Sequence, residues 1–409
     1  MQTYSYKGRR DNGQLIEGEI ESSSTSAVAG QLMSKGISPL QITEKKQKVD
    51  VIEQISQKLD LYKVSIEELL MFTRQMSALA KAGIPITRAI SGILESIQNP
   101  LMIKALRDTL EQLESGRNLS IALSRHPKVF SNLYISMIQV GENTGRLDEA
   151  FAMMANYIDR NRKMSNNISA ALRYPTTVII AIMIAMGIVN LFVIPKFASF
   201  FESNNLDLPW QTVLLLTTSN FFVDNWHFVL IAFVLAFMLF KHYIGTIEGR
   251  YKWHRLILRI PIIGDILLRA YLARFARSFA MAYGAGVPIV QGMGVISRSI
   301  GNDFIARHVA DMREGIERGE TLTGTAYRTH MFTPVVMQMF SVGEEAGNLD
   351  EMMSYIADFY EEEVDYDIKT LSDKLEPLIY VFVGIMVLVL VLAMGIFVPM
   401  WDIAQLAGR

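Results

Sequence analysis

The sequence contains no cysteine among its 409 residues, and this absence removes several kinds of chemistry at once. Without thiols there is no disulfide scaffold, no thiolate zinc site, no iron–sulfur cluster and no cysteine nucleophile. A net charge of one sign is lacking too, because the formal charge is only −2. A protein that binds nucleic acid along its phosphates usually carries a basic surface. We therefore expect no nucleic-acid partner.

Recognisable catalytic motifs are missing as well. The sequence has no phosphate loop of the form G-x-x-x-x-G-K-[ST], no H-E-x-x-H and no G-x-S-x-G. Its six histidines are scattered without the spacing of metal ligands. We therefore predict that the chain is not an enzyme, with no catalytic residues, no cofactor and no metal.

Apolar residues are abundant and concentrated in three runs. Hydrophobic residues make up 50% of the chain, and charged residues 20%. The runs cover residues 174–195, 226–245 and 376–399, the second only with its flanks. Because a bilayer core of about 30 Å needs about 20 apolar helical residues, each run predicts a transmembrane helix. The alternative for each is a helix buried in a soluble core.

The flanking charges predict how these helices cross the membrane. Lys and Arg residues precede the first run and follow the second, whereas the segment between them has only Lys196. By the positive-inside rule, residues 1–173 and 246–375 are inside, and the loop 196–225 is outside. The same rule places the tail 400–409 outside.

The chain contains an internal repeat. Residues 72–86 (FTRQMSALAKAGIPI) match residues 275–289 (FARSFAMAYGAGVPI), and VGENTGRLDE at 140–149 matches VGEEAGNLDE at 342–351. Matching prolines also open and close the first and third apolar runs. Each copy is therefore predicted to be a soluble domain followed by a membrane span, and the second run supplies the return crossing.

Within each copy the apolar spacing is helical. Ser65 and Glu68 predict a capping-box helix start, and further helices are expected at about 100–115, 119–125, 131–143 and 146–170. The predicted fold is mainly α, a polytopic membrane protein with two duplicated helical bundles at 65–173 and 246–375. Residues 1–45 alternate like short strands around one helix, which predicts a small αβ module, and 46–64 is predicted to be a linker.

Several residues stand out as candidates for partner contacts or for structural roles. Glu142 and Glu344 lie in the repeated Gly-Glu pairs, either as partner or ion contacts or as helix-terminal acids that bond the nearby backbone or an arginine. Arg74 and Arg277 are expected to form a salt bridge within each bundle. The full set of candidates is Arg74, Gly83, Pro85, Glu142, Gly145, Leu147, Pro175, Pro195, Arg277, Gly286, Pro288, Glu344, Gly347, Leu349, Pro377 and Pro399.

An acidic run lies at residues 361–367. It is expected to be a solvated helix face. The alternative is contact with a basic partner, for which residues 160–163 of the first copy are one candidate.

These motifs resemble those of the inner-membrane platform proteins of type IV pilus and type II secretion machines, the F-domain family. The resemblance rests on the paired F-x-R-x(8)-G-[IV]-P-[IL] and V-G-E-x-x-G-x-L-D-E segments and on the residues that flank the spans. The flanking segments are 172–175 (LRYP), 194–197 (IPKF), 208–209 (LP) and 375–377 (LEP). The resemblance covers almost the whole chain, and an MSHA-type pilus platform is one variant that it leaves open.

The resemblance implies a non-enzymatic platform in the bacterial inner membrane, with a cytoplasmic N-terminus and a periplasmic C-terminus. Its implied partners are a hexameric assembly ATPase on the cytoplasmic side, pilins or pseudopilins, other inner-membrane assembly proteins and further copies of itself. The alternative functions are a transporter or channel subunit, which needs polar groups at membrane depth, and a membrane enzyme, which needs a catalytic constellation.

Overall fold

The computed structural model describes residues 2–10, 15–22, 25–34, 36–44, 63–189 and 224–395, with isolated positions at 192, 195, 217 and 221. The chain divides into two compact units, residues 1–63 with 99–101, and residues 64–98 with 102–409. Most of the predicted linker, most of the loop 196–225 and all of the tail 400–409 lie outside the described residues.

The N-terminal unit is a small αβ structure. Its elements are β1 (Gln2–Arg10), β2 (Leu15–Ser22), α1 (Thr25–Ser34) and β3 (Ile37–Glu44). The strands form an antiparallel sheet in the order β2-β1-β3. Val28 and Leu32 of α1 are buried against Tyr4 and Ile37, which closes a small core between helix and sheet. The predicted strands around a single helix are thus present.

The second unit begins with the helices of the first copy. They are α2 (Ile66–Lys81), α3 (Ile86–Leu94), α4 (Pro100–Glu114), α5 (Leu119–Ser124), α6 (Asn132–Thr144) and α7 (Leu147–Ile188). Helix α2 starts at the predicted capping box. The Ser65 hydroxyl accepts a hydrogen bond from the Glu68 N–H at 3.1 Å, and the Ser65 N–H donates to the Glu68 carboxylate at 2.7 Å.

The second copy follows the same order after two additional helices. The additional helices are α8 (Trp226–Gly245) and α9 (Ile247–Ile257). The bundle itself consists of α10 (Ile263–Gly284), α11 (Ile289–Ser299), α12 (Asp303–Glu317), α13 (Leu322–Thr329), α14 (Pro334–Ala346) and α15 (Leu349–Gly395).

An equivalent aromatic contact lies in the core of each copy. In the first, the rings of Phe72 and Phe130 have centroids 5.9 Å apart. In the second, the corresponding rings of Phe275 and Phe332 are 6.0 Å apart. Because aromatic pairs contribute both buried area and a preferred ring geometry, the repeated pair fixes how the first helix of each copy packs on the later ones.

The long helices α7 and α15 differ from the prediction. A helix at 146–170 followed by a separate span from residue 174 was expected, yet α7 runs without interruption from Leu147 to Ile188 and passes through Pro175. Helix α15 passes in the same way through Pro377. A proline removes one intrahelical hydrogen bond, and beyond Pro175 the threonine hydroxyls at 176 and 177 donate to carbonyls one turn earlier at 2.7 and 2.9 Å. The predicted boundary at 173/174 is therefore not a break in the helix.

Two helices in the described part of the chain are long and apolar enough to cross a membrane, α7 through its C-terminal part and α8. Helix α8 contains no buried residue. An apolar helix with no buried residue is the kind that lipid solvates. Helix α15 also enters the third apolar run, and several side chains there are not described. The third span therefore remains a prediction.

Candidate functional site

The carboxylate of Glu142 binds the start of helix α5. Glu142 lies near the end of α6 and accepts hydrogen bonds from the backbone N–H groups of Leu119 and Ser120, at 2.5 and 3.2 Å. The Ser120 hydroxyl donates a third hydrogen bond at 2.6 Å. The first N–H groups of a helix have no intrahelical partner and carry partial positive charge. Glu142 therefore acts as a remote anionic cap that holds α5 against α6.

Glu344 makes the same contact in the second copy. Its carboxylate accepts from the backbone N–H groups of Leu322 and Thr323, at 2.7 and 2.9 Å, at the start of α13. The Thr323 hydroxyl is buried and has no hydrogen-bond partner among the residues that the structure describes. These contacts are those of the structural alternative for the two glutamates, in which each acid bonds backbone N–H groups of its own bundle.

The glycine before each of these glutamates allows a close helix contact. A Cβ atom added to Gly141 would lie 2.5 Å from the Ala150 Cβ atom, and one added to Gly343 would lie 2.9 Å from Met352 side-chain atoms. Any side chain at either position would therefore force α6 away from α7, or α14 away from α15. The V-G-E-x-x-G-x-L-D-E segment thus supplies both a close crossing and an anionic cap.

The turn residues of the repeat occupy matching positions. Gly145 and Gly347 end α6 and α14 in the left-handed region, with φ of 73° and 72°. Leu147 and Leu349 then begin the long helices. The Gly-x-Pro turns match as well, because Gly83 and Gly286 have positive φ and Pro85 and Pro288 directly precede α3 and α11. A glycine in such a turn avoids the strain that a Cβ atom brings at positive φ.

The remaining predicted candidates are the prolines of the apolar runs. Pro175 is buried inside α7, and Pro377 is exposed inside α15. Pro195 is an isolated described position, and Pro399 lies outside the described residues.

Arg74 and Arg277 form equivalent ion pairs. Arg74 lies 3.1 Å from the carboxylate of Asp159 on α7. Arg277 lies 3.1 Å from the carboxylate of Glu361 on α15, and it also pairs with Asp358. Asp159 and Glu361 occupy equivalent positions in the two copies. They lie 202 residues apart, which is also the offset between the two V-G-E segments. Each copy of the repeat therefore has an ion pair between its first helix and its long helix.

Asp159 is surrounded by cations. Lys163, Arg162 and Arg74 lie 3.1, 2.9 and 3.1 Å from its carboxylate oxygens. The hydrogen bond from Lys163 lowers the pKa of Asp159 most, and the charges and hydrogen bonds of the other cations add to this effect, against a smaller effect of desolvation. The charged form of Asp159 is therefore the stable one across the physiological pH range.

The two copies meet along α7, α10 and α15. Arg160 on α7 lies 2.8 Å from the carboxylate of Glu361 and 3.5 Å from that of Asp358. Next to this pair, the Arg274 Nε donates to the Asn161 side-chain oxygen at 3.3 Å. These contacts are polar and partly exposed. Nearer the apolar run, Ile168 and Leu172 of α7 pack against a buried cluster of the second copy that includes Leu371. The interface between the copies therefore combines ion pairs with an apolar core.

A second inter-helix contact extends the polar interface. The Ser278 hydroxyl donates to the Arg274 carbonyl at 2.7 Å, and its oxygen lies 3.1 Å from the Tyr157 hydroxyl, which can donate to it. Below it, the partly buried Met164 packs against the core of the second copy. The first copy's long helix therefore contacts the second copy through hydrogen bonds, ion pairs and several apolar side chains.

Only part of the acidic run 361–367 faces solvent. Glu361 is paired as described, and Glu363 lies 3.0 Å from Arg269. Asp367 is buried and binds Arg269 together with Lys374, which lies 2.9 Å from it. Glu362 and Asp365 are exposed. One face of the run therefore forms ion pairs with cations of this chain, including Arg160, as the basic-partner alternative predicted. The other face is solvated, as the first expectation had it.

Sequence reasoning did not identify the acidic residues that form ion pairs with Arg74 and Arg277. Asp159 and Asp358 carry no motif of their own, and the repeat offset was the one available signal for the first of them. It also missed the buried pair of Thr73 and Tyr134, whose hydroxyl oxygens lie 3.1 Å apart. The second copy has Ala276 and Val336 at the equivalent positions, so this polar contact is not shared by the repeat.

Among the described residues, no group of three or more histidine, aspartate or glutamate side chains is arranged to hold a metal ion. The charged clusters found there are ion pairs between helices or within one helix. These ion pairs and hydrogen bonds hold the helices of each bundle together, and each bundle ends in a long helix.

Comparison with known proteins identifies the same repeat. The family described as "Type II secretion system (T2SS), protein F" matches residues 72–195 and again residues 275–397. The N-terminal domain of type II secretion system protein F matches residues 1–43. The family therefore covers both copies and the αβ unit.

Similar full-length relatives occur in several bacteria. The type IV pilus assembly protein PilC of Pseudomonas aeruginosa is 30% identical over 93% of this chain and 100% of that protein. PilC of Thermus thermophilus is 30% identical over 98% of each chain. The type II secretion system protein F of Aeromonas hydrophila is 26% identical over 91% of this chain and 96% of its own length. With its duplicated bundles and these matches, the chain belongs to the type II secretion system protein F family.

Proposed function

We propose that this protein is the inner-membrane platform of a type IV pilus or type II secretion machine, and that it couples a cytoplasmic assembly ATPase to the polymerisation of pilins or pseudopilins. The observation that carries the proposal is the architecture of the repeat. Each copy is a helical bundle whose last helix continues into an apolar segment, α7 after the first bundle and α15 after the second. This arrangement suits a part that links the cytoplasm mechanically to the membrane.

Three membrane crossings follow from this proposal. Helix α7 beyond Pro175 is the first, α8 the second and α15 beyond Pro377 the third. Helix α8 has no buried residue, and this supports its exposure to lipid. The basic residues that flank the first two spans support a cytoplasmic N-terminus and a periplasmic C-terminus.

The two bundles are then the surfaces that an ATPase would contact. The contacts between the copies, which include the ion pair of Arg160 with Glu361 and the apolar packing of α7, support transfer of a displacement from one bundle to the other. No recognisable nucleotide-binding motif lies in the chain itself, so the energy for assembly would come from the partner. The protein acts as a non-enzymatic part, and further copies of it would complete the platform.

The topology can be tested without background labelling, because the chain has no cysteine. Single cysteines at Lys104, Asn204, Glu317 and Gln405 would be probed in intact cells with a maleimide that cannot cross the inner membrane. We expect labelling of positions 204 and 405, and labelling of positions 104 and 317 only after permeabilisation. Labelling of position 104 in intact cells would overturn the proposed orientation, and protection of position 405 would overturn the third crossing.

The function itself is tested by deletion and complementation. Loss of the gene should abolish surface pili or a set of secreted proteins, while the partner ATPase still hydrolyses ATP. The wild-type gene on a plasmid should restore assembly. Normal piliation and secretion in the deletion strain would contradict the proposal. Substrate flux through the purified protein in liposomes would favour the transporter alternative instead.

A further inference from the structure

Helix α9 begins directly after the second apolar helix. Helix α8 ends at Gly245, and α9 starts at Ile247 with Thr246 between them. If α8 crosses the membrane, as the proposed function requires, α9 lies where the chain leaves the bilayer. The position of α9 relative to the end of α8 therefore decides whether it can reach the lipid headgroups.

A tight turn holds α9 close to the end of α8. The Thr246 hydroxyl donates to the Tyr243 carbonyl at 2.6 Å and accepts from the Gly249 N–H at 3.1 Å. A Cβ atom on Gly249 would lie only 1.9 Å from the Tyr243 carbonyl oxygen. The backbones are thus too close for any side chain at this position, and α9 cannot move away from the end of α8 without breaking the turn.

An aromatic contact reinforces the turn. The rings of Phe240 on α8 and Trp253 on α9 meet edge to face, with centroids 5.0 Å apart. Tryptophan is enriched at the membrane–water interface, where its ring is amphipathic. The contact therefore fits a helix that lies at headgroup level.

The inner face of α9 is bound to the second bundle. Arg250 pairs with Asp303 at the start of α12. The His254 Nδ1 accepts a hydrogen bond from the Asp303 N–H at 2.9 Å, and the rings of Tyr251 and Phe304 are 5.7 Å apart. Helix α9 thus connects the end of α8 to the body of the second copy, and this face is not available to other partners.

The outer face of α9 combines cations with apolar side chains. Lys252, Arg255 and Arg259 are exposed, and Leu256 between them is 55% exposed. Arg255 lies at the edge of this face, because its guanidinium is also over the Phe304 ring of α12, 5.8 Å from the centroid. The spacing of three and four residues places them on one side of the helix and the turn that follows. Lys252 and Arg259 form no ion pair within the described residues, whereas Glu248 is the one acid on this face of α9.

A groove beside α9 adds charged and apolar groups. It has a volume of about 650 Å³ and lies between α9 and α12. Its lining includes the cations Lys252 and Arg307, the acids Glu248 and Asp303, and the exposed side chain of Ile247. Asp303 is paired with Arg250. Arg307 lies over the Tyr251 ring, 5.3 Å from its centroid. Cations next to exposed apolar side chains match a phospholipid, which has an anionic headgroup and an acyl boundary.

We propose that the outer face of α9, defined by Lys252, Arg255, Leu256 and Arg259, binds the anionic phospholipids of the leaflet in which α8 ends. The contact rests on the proposed membrane crossing of α8, and it holds the second bundle against the membrane surface. An acidic protein would also attract the cations. The exposed apolar residues and the short connection to α8 favour the lipid surface.

The test compares lipid selectivity in the full-length protein. Wild type and the variant K252Q/R255Q/R259Q are purified in a neutral detergent and offered equal amounts of phosphatidylglycerol and phosphatidylcholine. Native mass spectrometry then measures the ratio of the two lipids bound. Each cation near an anionic surface contributes about fivefold, so we expect the triple variant to lose at least about tenfold of its preference for phosphatidylglycerol.

Two matched variants control for net charge and for folding. K81Q/R88Q/K104Q removes three exposed cations from the first copy, on α2, α3 and α4, and should keep the wild-type preference. K252R/R255K/R259K keeps the charges at α9 and should also keep it. Free glycerol 3-phosphate should not displace the bound phosphatidylglycerol, because it lacks the acyl chains that the apolar side chains contact.

The outcomes separate this proposal from the proposed function. Unchanged selectivity in the glutamine variant would overturn lipid binding at α9, and so would an equal loss in the K81Q/R88Q/K104Q control. Unchanged selectivity together with loss of a co-purifying acidic protein would show that the face binds a protein instead. Failure of the membrane crossing appears separately, as a changed labelling pattern of the single-cysteine proteins.

Discussion

The guanidinium of Arg160 lies 2.8 Å from the carboxylate of Glu361, and this ion pair joins the first copy of the repeat to the second. Glu361 also receives Arg277 of its own bundle at 3.1 Å. One carboxylate therefore takes part both in the repeated ion pair within the second copy and in the contact between copies. Glu361 therefore contributes both to the packing within the second bundle and to the contact between the two bundles.

Glu361→Gln is expected to destabilise the protein more than Arg160→Gln does. The first change removes the charge that two arginines share, and hydrogen bonds to charged groups contribute about 1.5 to 3 kcal/mol when partly buried. The second removes a half-exposed partner, for which about 0.5 kcal/mol is typical. Thermal unfolding of the purified full-length protein at low and high salt measures both. Arg117→Gln, at an exposed position, should have no effect, and equal effects of the two test variants would contradict the shared role of Glu361.

Ser120→Ala and Thr323→Ala form a matched pair in the two copies. The Ser120 hydroxyl donates to Glu142 at 2.6 Å, whereas the Thr323 hydroxyl has no hydrogen-bond partner in the described part of the chain. We expect Ser120→Ala to lower the free energy of unfolding by about 1 kcal/mol and Thr323→Ala to change it little. Chemical denaturation of the two variants measures the difference. Equal losses would show that the serine hydrogen bond has no special role.

Glu142→Gln should destabilise the first bundle by about 2 kcal/mol, since it replaces a charged acceptor of three hydrogen bonds by a neutral one. Glu344→Gln, with two bonds, should have a smaller effect. Two measurements on each variant distinguish a structural role from a partner contact: the unfolding midpoint and the amount of ATPase that co-purifies. A variant of unchanged stability that no longer binds the ATPase would restore the partner-contact alternative.

Asp159→Asn is expected to make stability less dependent on pH in the acidic range. The neighbouring cations, Lys163 first, hold the pKa of Asp159 below its ordinary value in the folded protein. A lowered folded-state pKa gives stability that is present above the unfolded-state pKa of about 3.9 and is lost as the pH falls through the folded-state pKa. The difference between wild type and Asp159→Asn should therefore be constant from about pH 7 to pH 5 and shrink at lower pH. A difference that stays constant at lower pH would contradict the lowered pKa.

Thr73 and Tyr134 should be energetically coupled. Burial raises the pKa of Tyr134 above its ordinary value, so its hydroxyl stays protonated and able to bond Thr73. In a double-mutant cycle with Thr73→Ala and Tyr134→Phe, we expect a coupling energy of about 0.5 to 1 kcal/mol. Denaturation of the four proteins measures it, and strictly additive effects would show that the two hydroxyls contribute independently. The equivalent positions, Ala276 and Val336, lack both hydroxyls.

Local patterns predicted the start of the helices well and one of their ends badly. The capping box at Ser65 is present because its two hydrogen bonds join residues only three positions apart. The predicted end near residue 170 is wrong, because the prediction separated the last bundle helix from the apolar run that Pro175 opens. In the structure α7 continues through Pro175, which is buried there, and packing along a long helix offsets the one hydrogen bond that a proline removes.

The candidate residues show the same division. The glycines at 145 and 347 could be predicted as helix ends, because positive φ is a local requirement. For Glu142 and Glu344 the sequence left two roles open. Their backbone partners lie more than twenty residues earlier in the chain, at the start of another helix. No periodic pattern reports which helix start lies beside which carboxylate.

By itself, the sequence determined the duplication, the helical character of both copies and the three apolar runs, since these properties depend on spacing and composition along the chain. Only the tertiary structure decided that Arg160 meets Glu361, 201 residues away. It also decided that the inner face of α9 binds α12, whereas Lys252 and Arg259 on the outer face form no ion pair with any described residue. Such contacts depend on which helix faces pack together. That choice is made by the whole arrangement of helices, because residues distant in sequence come within bonding distance only when the bundles are assembled.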